Sequence, residues 1–275
     1  MLMNHSVMNS KLELKHNQIP YHITGNQQKE TLLMLHPAFT DHQIFAQQVE
    51  YFEEDYQILL IDMPGHGRSQ IKGSTVILKD MPEIIHEILL ANNISSCHVL
   101  GVSLGSLVAQ AFADRYPNQV RSVIILGGYS IHKANARVLK AQGKEGLKWL
   151  LYILFSMKKF KRYATTVSCY TDSGRERFSQ GNQYITRKSF LAMSGTKSFF
   201  IKKDSPMPYP LLIVVGEHDL QLVHEVAMEW HELEPSSQLV LLRGAGHCAN
   251  VDTPKEFNEI VAEFLEIIKK KLVPQ

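Results

Sequence analysis

A regular alternation of short apolar runs and helical patterns constrains the fold of this chain more than any other feature. The runs are Thr31–Leu35, Gln57–Ile61, Cys97–Val102, Arg121–Leu126, Pro210–Val215 and Gln238–Leu242. Helical periodicity lies between and after them, near Gln43–Glu53, Thr75–Asn92, Leu104–Arg115, Leu220–His231 and Pro254–Lys271. Near-continuous apolar strands separated by helices predict a mostly parallel sheet that is buried on both faces.

Two further extended segments precede this alternation. They lie around Lys11–Lys15 and Ile19–Thr24, and a turn follows at Gly25 and Asn26. Such segments predict an antiparallel hairpin at the edge of the sheet. With the six apolar runs, they bring the predicted sheet to eight strands.

The alternation is interrupted once, after Arg121–Leu126. The residues before Pro210–Val215 are too many for a loop in a compact domain, and they carry helical patterns rather than low complexity. We interpret residues 129–205 as an inserted helical cap over the ends of the strands. Residues 1–128 and 206–275 would then form the core domain.

Charge also separates the predicted cap from the rest of the chain. The net charge is +2, but residues 129–205 contain 16 Lys and Arg against 4 Asp and Glu, a net +12. The remainder therefore carries −10. This asymmetry indicates a segment with its own surface, although a solvated charged face would give the same count.

Bulk composition places few limits on function. A chain of 275 residues, 44% of them apolar, can bury a large core as one domain, with or without an insertion. The N-terminal residues are polar and lack the apolar core of a signal peptide. Cysteines 97, 169 and 248 are widely spaced and odd in number, so neither a disulfide framework nor a zinc cluster is indicated. We predict a cytoplasmic protein with reduced thiols.

Residues 97–116 carry the strongest functional signal. The apolar run there ends in Gly-Val-Ser-Leu-Gly, with Ser103 at the centre, and a helical pattern follows at once. A serine at the apex of a strand–turn–helix is the context of a nucleophile elbow, in which glycines allow strand and helix to approach closely. The helix N-terminus also favours developing negative charge. Because serine alone is a weak nucleophile, the hypothesis requires a base, an acid and an oxyanion hole elsewhere.

The chain resembles the α/β-hydrolase family over nearly its whole length. Asp219 follows the run Pro210–Val215, in LLIVVGEHD, and His247 follows the last run, in GAGH. The order Ser, Asp, His is the one that this fold uses. The resemblance implies a mostly parallel, eight-stranded sheet with helices on both faces and an inserted helical cap. It also implies that Ser103, Asp219 and His247 form a catalytic triad.

Two neighbouring acids compete with Asp219 for the role of orienting the base. One is Glu217, which lies two residues before Asp219. Asp252 follows His247 too closely in sequence to be the favoured partner. The alternative without a functional site is that Ser103 lies in the core, Asp219 on the surface and His247 in a loop, with no contact among them.

The resemblance also locates the oxyanion hole. One backbone N–H would come from Leu104, directly after the nucleophile, and the other from the loop His36-Pro37-Ala38-Phe39. Family members usually have His-Gly-X there, with the N–H of X as donor, so we assign Ala38. Pro37 departs from that pattern but removes a donor that is not needed; Phe39 is the fallback.

A glycine-containing segment, Asp62–Ser69 (DMPGHGRS), also matches the family. It lacks the lysine and the glycine spacing of a nucleotide-binding loop, so we interpret it as a structural turn near the site.

His224 and His231 share one predicted helix, but the helix lacks the carboxylate–histidine signature of a zinc site. No metal or organic cofactor is implied.

The nucleophile narrows the reaction class. Serine argues against the haloalkane dehalogenase and epoxide hydrolase branches, which resemble this fold but use aspartate. It favours acyl transfer to water from esters, thioesters or lactones, or cleavage of carbon–carbon bonds in vinylogous keto acids. We favour a small or medium ester with an apolar acyl part. A lyase-like enzyme acting on an anionic metabolite, and a ligand-binding receptor or regulator that retains the fold, remain alternatives.

The predicted cap contains an apolar run, Leu147–Met157, followed by the basic run Lys158–Arg162. Eleven mainly apolar residues are too few to span a bilayer. They suit a lid helix over an acyl pocket, with weak contact to an anionic membrane surface, or a helix packed on the core with its lysines in water. We expect a small-molecule acyl substrate and no nucleic-acid partner, and the oligomeric state stays open.

Overall fold

Eight strands form a single sheet in the computed structural model, which describes residues 8–14, 17–69, 76–133 and 136–272. The strands are β1 (Met8–Leu14), β2 (Asn17–Gly25), β3 (Thr31–Leu35), β4 (Gln57–Ile61), β5 (Cys97–Val102), β6 (Val120–Leu126), β7 (Leu211–Gly216) and β8 (Ser237–Leu242). Their order across the sheet is β1-β2-β4-β3-β5-β6-β7-β8. Residues 1–7 of the N-terminal segment, Lys15 of the predicted hairpin and Thr75 of a predicted helix lie outside the described residues.

The pairing of the strands confirms the predicted fold class. β1 pairs with β2 and β2 with β4 in antiparallel fashion, whereas every other neighbouring pair is parallel. Alternate residues of β3 belong to different buried clusters, Leu33 and Leu35 to one and Leu32 and Met34 to the other. Side chains of a strand point alternately to its two faces, so both faces of the sheet are buried.

The helices cover both faces of the sheet and fill the gap between β6 and β7. They are α1 (Ala46–Phe52), α2 (Met81–Ala91), α3 (Leu104–Arg115), α4 (Ala136–Phe155), α5 (Met157–Ser168), α6 (Asp172–Asn182), α7 (Ser189–Ala192), α8 (Gln221–Leu233), α9 (Ala249–Asp252) and α10 (Pro254–Leu272). Within the described residues, none of the helices is both long and apolar enough to cross a membrane.

Two predicted helices begin later than the sequence pattern indicates. The first turn before α1, His42–Phe45, is a 3₁₀ helix in which the Asp41 carboxylate accepts the amide of Gln43. A 3₁₀ turn at Leu78–Asp80 likewise precedes α2. Tight 3₁₀ turns are common at helix starts because a side-chain cap replaces the missing intrahelical acceptors.

The segment between β6 and β7 is helical, with α4 to α7 followed by a 3₁₀ turn at Thr196–Phe199. It packs on the core through aromatic rings and through one buried carboxylate, described below. Whether 129 and 205 are its functional boundaries stays a prediction.

Candidate active site

Ser103 lies in a strained turn between β5 and α3. Its backbone has φ 52° and ψ −111°, a conformation that L-residues rarely adopt. Close packing around the turn depends on glycine: a Cβ at Gly101 would lie 2.5 Å from the carbonyl oxygen of Gly105. The amide of Ser103 donates to the carbonyl of Leu126 at 2.8 Å, which fixes the turn to β6.

Ser103, His247 and Asp219 meet in one hydrogen-bonded chain. The Nε2 atom of His247 lies 2.8 Å from the Ser103 hydroxyl, and its Nδ1 atom lies 2.9 and 3.0 Å from the two oxygens of Asp219. Each residue follows the carboxyl end of a parallel strand, and such ends meet at one edge of the sheet. The three residues therefore have the distances required for a nucleophile, a base and an orienting acid.

The environment of His247 sets its protonation. Burial of the imidazole opposes the charged form, but the charge and hydrogen bond of the Asp219 carboxylate outweigh burial and raise the pKa of His247. Because Asp219 accepts at Nδ1, the proton of the neutral imidazole belongs on Nδ1 and the lone pair of Nε2 faces the serine hydroxyl. In this state the imidazole can accept the hydroxyl proton.

Two glycines that the sequence reasoning did not single out make room for His247. Gly127 has φ +60°, and a Cβ there would lie 2.9 Å from the Nδ1 atom of His247. A Cβ at Gly216 would overlap the backbone of Gly246. The available signal was their position directly after or at the end of a buried strand, where backbone approaches a site closely.

The loop after β3, residues 36–39, is the predicted oxyanion loop, and it lies directly beside the start of α3. A Cβ at Gly105 would overlap the carbonyl oxygen of Leu35, so no side chain separates the two elements. Among the described residues, the amides of Ala38 and Leu104 donate to no backbone acceptor. For Leu104 this follows from its place at the first position of a helix. The geometry is compatible with an oxyanion hole, and the assignment of the two donors stays a prediction.

His36 holds this loop in place around Pro37. Its Nε2 accepts the amide of Met63 at 3.0 Å, so its Nδ1 carries the proton and donates to the carbonyl of Pro37 at 2.8 Å. The carbonyl of Pro37 is therefore held by a buried histidine, and the loop conformation around Pro37 is fixed by these two hydrogen bonds. Phe39, two residues on, has φ 69°, an uncommon value outside glycine.

The segment that begins at Asp62 is a tight turn held by its own carboxylate. Asp62 is buried and accepts the amides of His42 at 3.1 Å and Arg68 at 2.9 Å. Burial opposes its ionisation, but the hydrogen bond and charge of His42 and the other donors hold its pKa well below the usual range. The arrangement supports a structural role for this segment beside the oxyanion loop.

One group among the described residues has the side-chain types of a metal site, namely His22, His42 and Asp62, whose ligand atoms lie within 4.8 Å of one another. His42 Nδ1 is 2.7 Å from Asp62 Oδ1, and the rings of His22 and His42 stack with centroids 3.9 Å apart. The carboxylate is occupied by protein donors in this arrangement. We assign it a hydrogen-bonding role.

The two competing acids have other partners. Glu217 accepts the amide of Gly244 at 2.9 Å. Asp252 accepts the amides of Tyr170, Thr171 and Gly246 and the hydroxyl of Thr171, all between 2.8 and 2.9 Å. Asp252 thus joins the α5–α6 connection to the residue before His247, a role that sequence spacing gave no signal for.

An aromatic cluster covers the predicted oxyanion loop. The ring of Phe39 lies 5.1 Å from Trp149, 4.9 Å from Phe160 and 5.6 Å from Phe190, measured between ring centroids. These three rings come from α4, α5 and α7. The inserted helices therefore present apolar surface to the loop that would bind an oxyanion, a contact that periodicity within each helix cannot reveal.

Comparisons with known proteins agree with this architecture. A family model described as alpha/beta hydrolase fold matches residues 30–254. The chain is 21% identical to the (E)-2-((N-methylformamido)methylene)succinate hydrolase of Acinetobacter baylyi, over 94% of this chain and 99% of that protein. It is 25% identical to a 2-hydroxy-6-oxononadienedioate/2-hydroxy-6-oxononatrienedioate hydrolase of Klebsiella pneumoniae, over 86% and 87%.

Solved structures show the same fold at low sequence identity. A carboxylesterase of Nitrososphaera gargenis superposes with a TM-score of 0.77 at 19% identity, covering 96% of this chain and all of that one. The meta-cleavage product hydrolase of Pseudomonas fluorescens IP01 superposes with a TM-score of 0.75 at 20% identity, covering 94% and 97%. These neighbours differ in reaction, so the likeness extends to fold and leaves the substrate open.

Proposed function

The chain belongs to the alpha/beta hydrolase fold family, and on that premise we propose that it is a serine hydrolase that cleaves a small or medium acyl ester. The observation that carries the proposal is the hydrogen-bonded chain from Asp219 through His247 to the Ser103 hydroxyl, with 2.8 Å between His247 Nε2 and Ser103 Oγ. That distance suits proton transfer as the hydroxyl oxygen attacks a carbonyl carbon.

The proposed reaction has two halves that use the same groups. Ser103 Oγ attacks the ester carbonyl while His247 takes the hydroxyl proton, and the resulting oxyanion accepts the amides of Ala38 and Leu104. Collapse breaks the ester C–O bond, and His247 gives the proton to the departing alcohol. Water then attacks the acyl-enzyme while His247 takes a proton from it, and His247 returns that proton to Ser103 Oγ as the acyl C–O bond breaks and the carboxylic acid leaves. Asp219 stays ionised throughout and stabilises the imidazolium.

The surroundings of the site favour a neutral, apolar acyl group. Buried aromatic rings, among them Phe39 and Phe160, cover the oxyanion loop. Most of the described basic residues in the helical segment are exposed: Arg137, Lys140, Lys148, Lys158, Lys159, Arg162, Arg187, Lys188, Lys197 and Lys202. These side chains lie on the outer surface, so they do not provide an ion-pair partner for the carboxylate of a substrate bound at Ser103.

Replacing Ser103 with Ala tests the proposal directly. We expect hydrolysis of p-nitrophenyl butyrate to fall by a factor on the order of 10⁴–10⁶, because the nucleophile is lost. A fluorophosphonate probe should label the wild-type protein and not the variant. Ser198→Ala, a change of an exposed serine outside the triad, is the matched control. Wild-type turnover in Ser103→Ala would contradict the proposal, and labelling without turnover of any ester would favour a receptor.

A second candidate is hydrolysis of a carbon–carbon bond in an anionic keto acid. It is favoured by the relatives named as hydrolases of 2-hydroxy-6-oxononadienedioate, a dicarboxylate, and by the net positive charge of the helical segment. The same triad would serve this reaction. Rates on a panel of neutral acyl esters and anionic keto acids separate the two candidates: clear preference for the keto acids would replace the ester proposal.

A further inference from the structure

The C-terminal half of α4 carries large apolar side chains that the proposed reaction does not use. They are exposed to the following extents: Leu150 49%, Leu151 52%, Leu154 58% and Phe155 82%. On the other side of the same turns, Trp149 and Ile153 pack against the buried core. This part of α4 is therefore apolar on both faces, whereas a surface helix of a globular domain normally carries polar residues on its outer face.

A neighbouring helix repeats this arrangement. Phe190 of α7 packs its ring against Phe39 and Phe160 in the buried aromatic cluster. The next residue, Leu191, is 75% exposed. Thus α4 and α7 each place one ring over the oxyanion loop and an exposed apolar side chain away from the core. Scattered surface leucines are ordinary, but exposed apolar side chains on two helices that pack rings into the same buried cluster mark a contact surface.

Positive charge surrounds the end of α4. The side chain of Arg187 donates to the carbonyl oxygens of Ile153 and Leu154 at 3.0 and 3.2 Å, so a guanidinium is held at the last turn of α4. Exposed Lys158 and Lys159 follow in the first turn of α5. From Gly146 to Thr171 the sequence contains no acidic residue. The positive charges of Arg187, Lys158 and Lys159 therefore lie close to the exposed apolar residues at the end of α4, and this stretch of the chain has no acidic residue to neutralise them.

These exposed side chains form one docking face, which we define as Leu150, Leu151, Leu154, Phe155 and Leu191 with Lys158, Lys159, Arg187 and Lys188. We propose that the docking face binds the surface of an anionic lipid bilayer. The apolar side chains would enter the boundary between head groups and acyl chains, and the cations would lie against head-group phosphates. A protein partner fits less well, because lysine is depleted from protein–protein interfaces. The proposal does not depend on ester hydrolysis.

Docking in this orientation has a consequence for the candidate site. Because one face of α4 reaches Phe39 through Trp149 and the other belongs to the docking face, a single helix separates the oxyanion loop from the bilayer. Binding would present the covered site to the lipid surface.

Vesicle sedimentation tests the docking face without any need for catalysis. Phosphatidylcholine vesicles containing about one third phosphatidylserine should bind the protein at least about tenfold more tightly than pure phosphatidylcholine, and added salt should weaken the binding. Phe155→Glu should weaken it by about tenfold or more, since a charge replaces the most exposed apolar side chain. Replacing Lys158 and Lys159 by Gln should weaken it by about 30-fold.

Matched controls come from other exposed positions. Leu90→Glu changes a leucine that is 59% exposed on α2, and Lys269→Gln with Lys270→Gln changes two exposed lysines on α10. Both should bind like the wild type, and unchanged thermal melting should show that each variant is folded. The lysine variants keep the test valid if Phe155→Glu does not fold.

Three results would overturn the proposal. One is wild-type protein that fails to bind anionic vesicles. Another is equal loss of binding in Leu90→Glu and Phe155→Glu, which would make the effect nonspecific. The third is a dimer in sedimentation equilibrium that Phe155→Glu dissociates, because a second copy would then cover the face.

Discussion

The sheet and the helical segment between β6 and β7 meet at the candidate active site, but they contribute to it in different ways. Backbone positions at the ends of β5, β7 and β8 carry Ser103, Asp219 and His247. The helical segment contributes side chains, chiefly the aromatic rings over Phe39. A rigid sheet edge can hold reacting groups to hydrogen-bonding distance, whereas the cover can vary in sequence and so determine what reaches them.

Glycines show the same difference in packing. In the turn at Ser103, a Cβ on Gly101 or Gly105 would collide with neighbouring backbone. In α4, a Cβ on Gly143 or Gly146 would meet nothing within 4 Å. The sheet edge therefore has no spare volume, and the helical segment has open surface at these positions.

The largest expected effect concerns the sheet edge. Asp219→Asn should lower kcat/KM by about 10⁴-fold, because the amide no longer orients and stabilises the imidazolium. His247 must be neutral to act as base, so activity falls as pH drops through its raised pKa. Without the Asp219 charge that pKa falls, and the acidic limb of the pH–rate profile should move to lower pH.

The control for this change is Glu217→Gln, which alters an exposed acid that accepts the amide of Gly244 and lies 3.8 Å from Nε2 of His218. It should stay within about twofold of wild type, as is usual for surface changes away from a site. A loss as large as that of Asp219→Asn would assign the orienting role to Glu217.

A smaller effect is expected where the two regions are joined. Asp252→Asn should lower the free energy of unfolding by about 3 kcal/mol, since an amide nitrogen would face donors now satisfied by the buried carboxylate. Urea denaturation measures the change. Asp172→Asn, at a fully exposed carboxylate, should leave the midpoint unchanged. If Asp252→Asn were equally silent, the Asp252 carboxylate would contribute nothing to the attachment of the helical segment to the core.

The smallest effect is expected inside the helical segment. Gly146→Ala should raise the free energy of unfolding by about 1 kcal/mol, because alanine favours the helix and the added methyl group has space. Thermal unfolding would report the gain. The paired change Gly105→Ala should instead destabilise the protein by about 3 kcal/mol, because the methyl group overlaps the carbonyl of Leu35. Similar results for both variants would remove the contrast between the regions.

Much of the core could be predicted from sequence because its signals are local. The predicted bounds of β3, β4, β5 and α3 coincide with the observed ones, since each is a buried run that ends at a turn or a change of period. Helices α1 and α2 were predicted too long, because periodicity does not distinguish a 3₁₀ start from an α-helix. The partners of Asp252 were not predicted, since they lie up to 82 positions away in the chain.

The sequence alone determined the alternation of strands and helices, the order of Ser103, Asp219 and His247, and the basic character of the segment between them. These properties depend on residue type and spacing along the chain. Only the tertiary structure decided that the three residues lie within hydrogen-bonding distance, that aromatic rings of three helices cover Phe39, and that the apolar face of α4 beyond them stays exposed. Those results depend on contacts between residues distant in sequence, which packing establishes and local pattern does not encode.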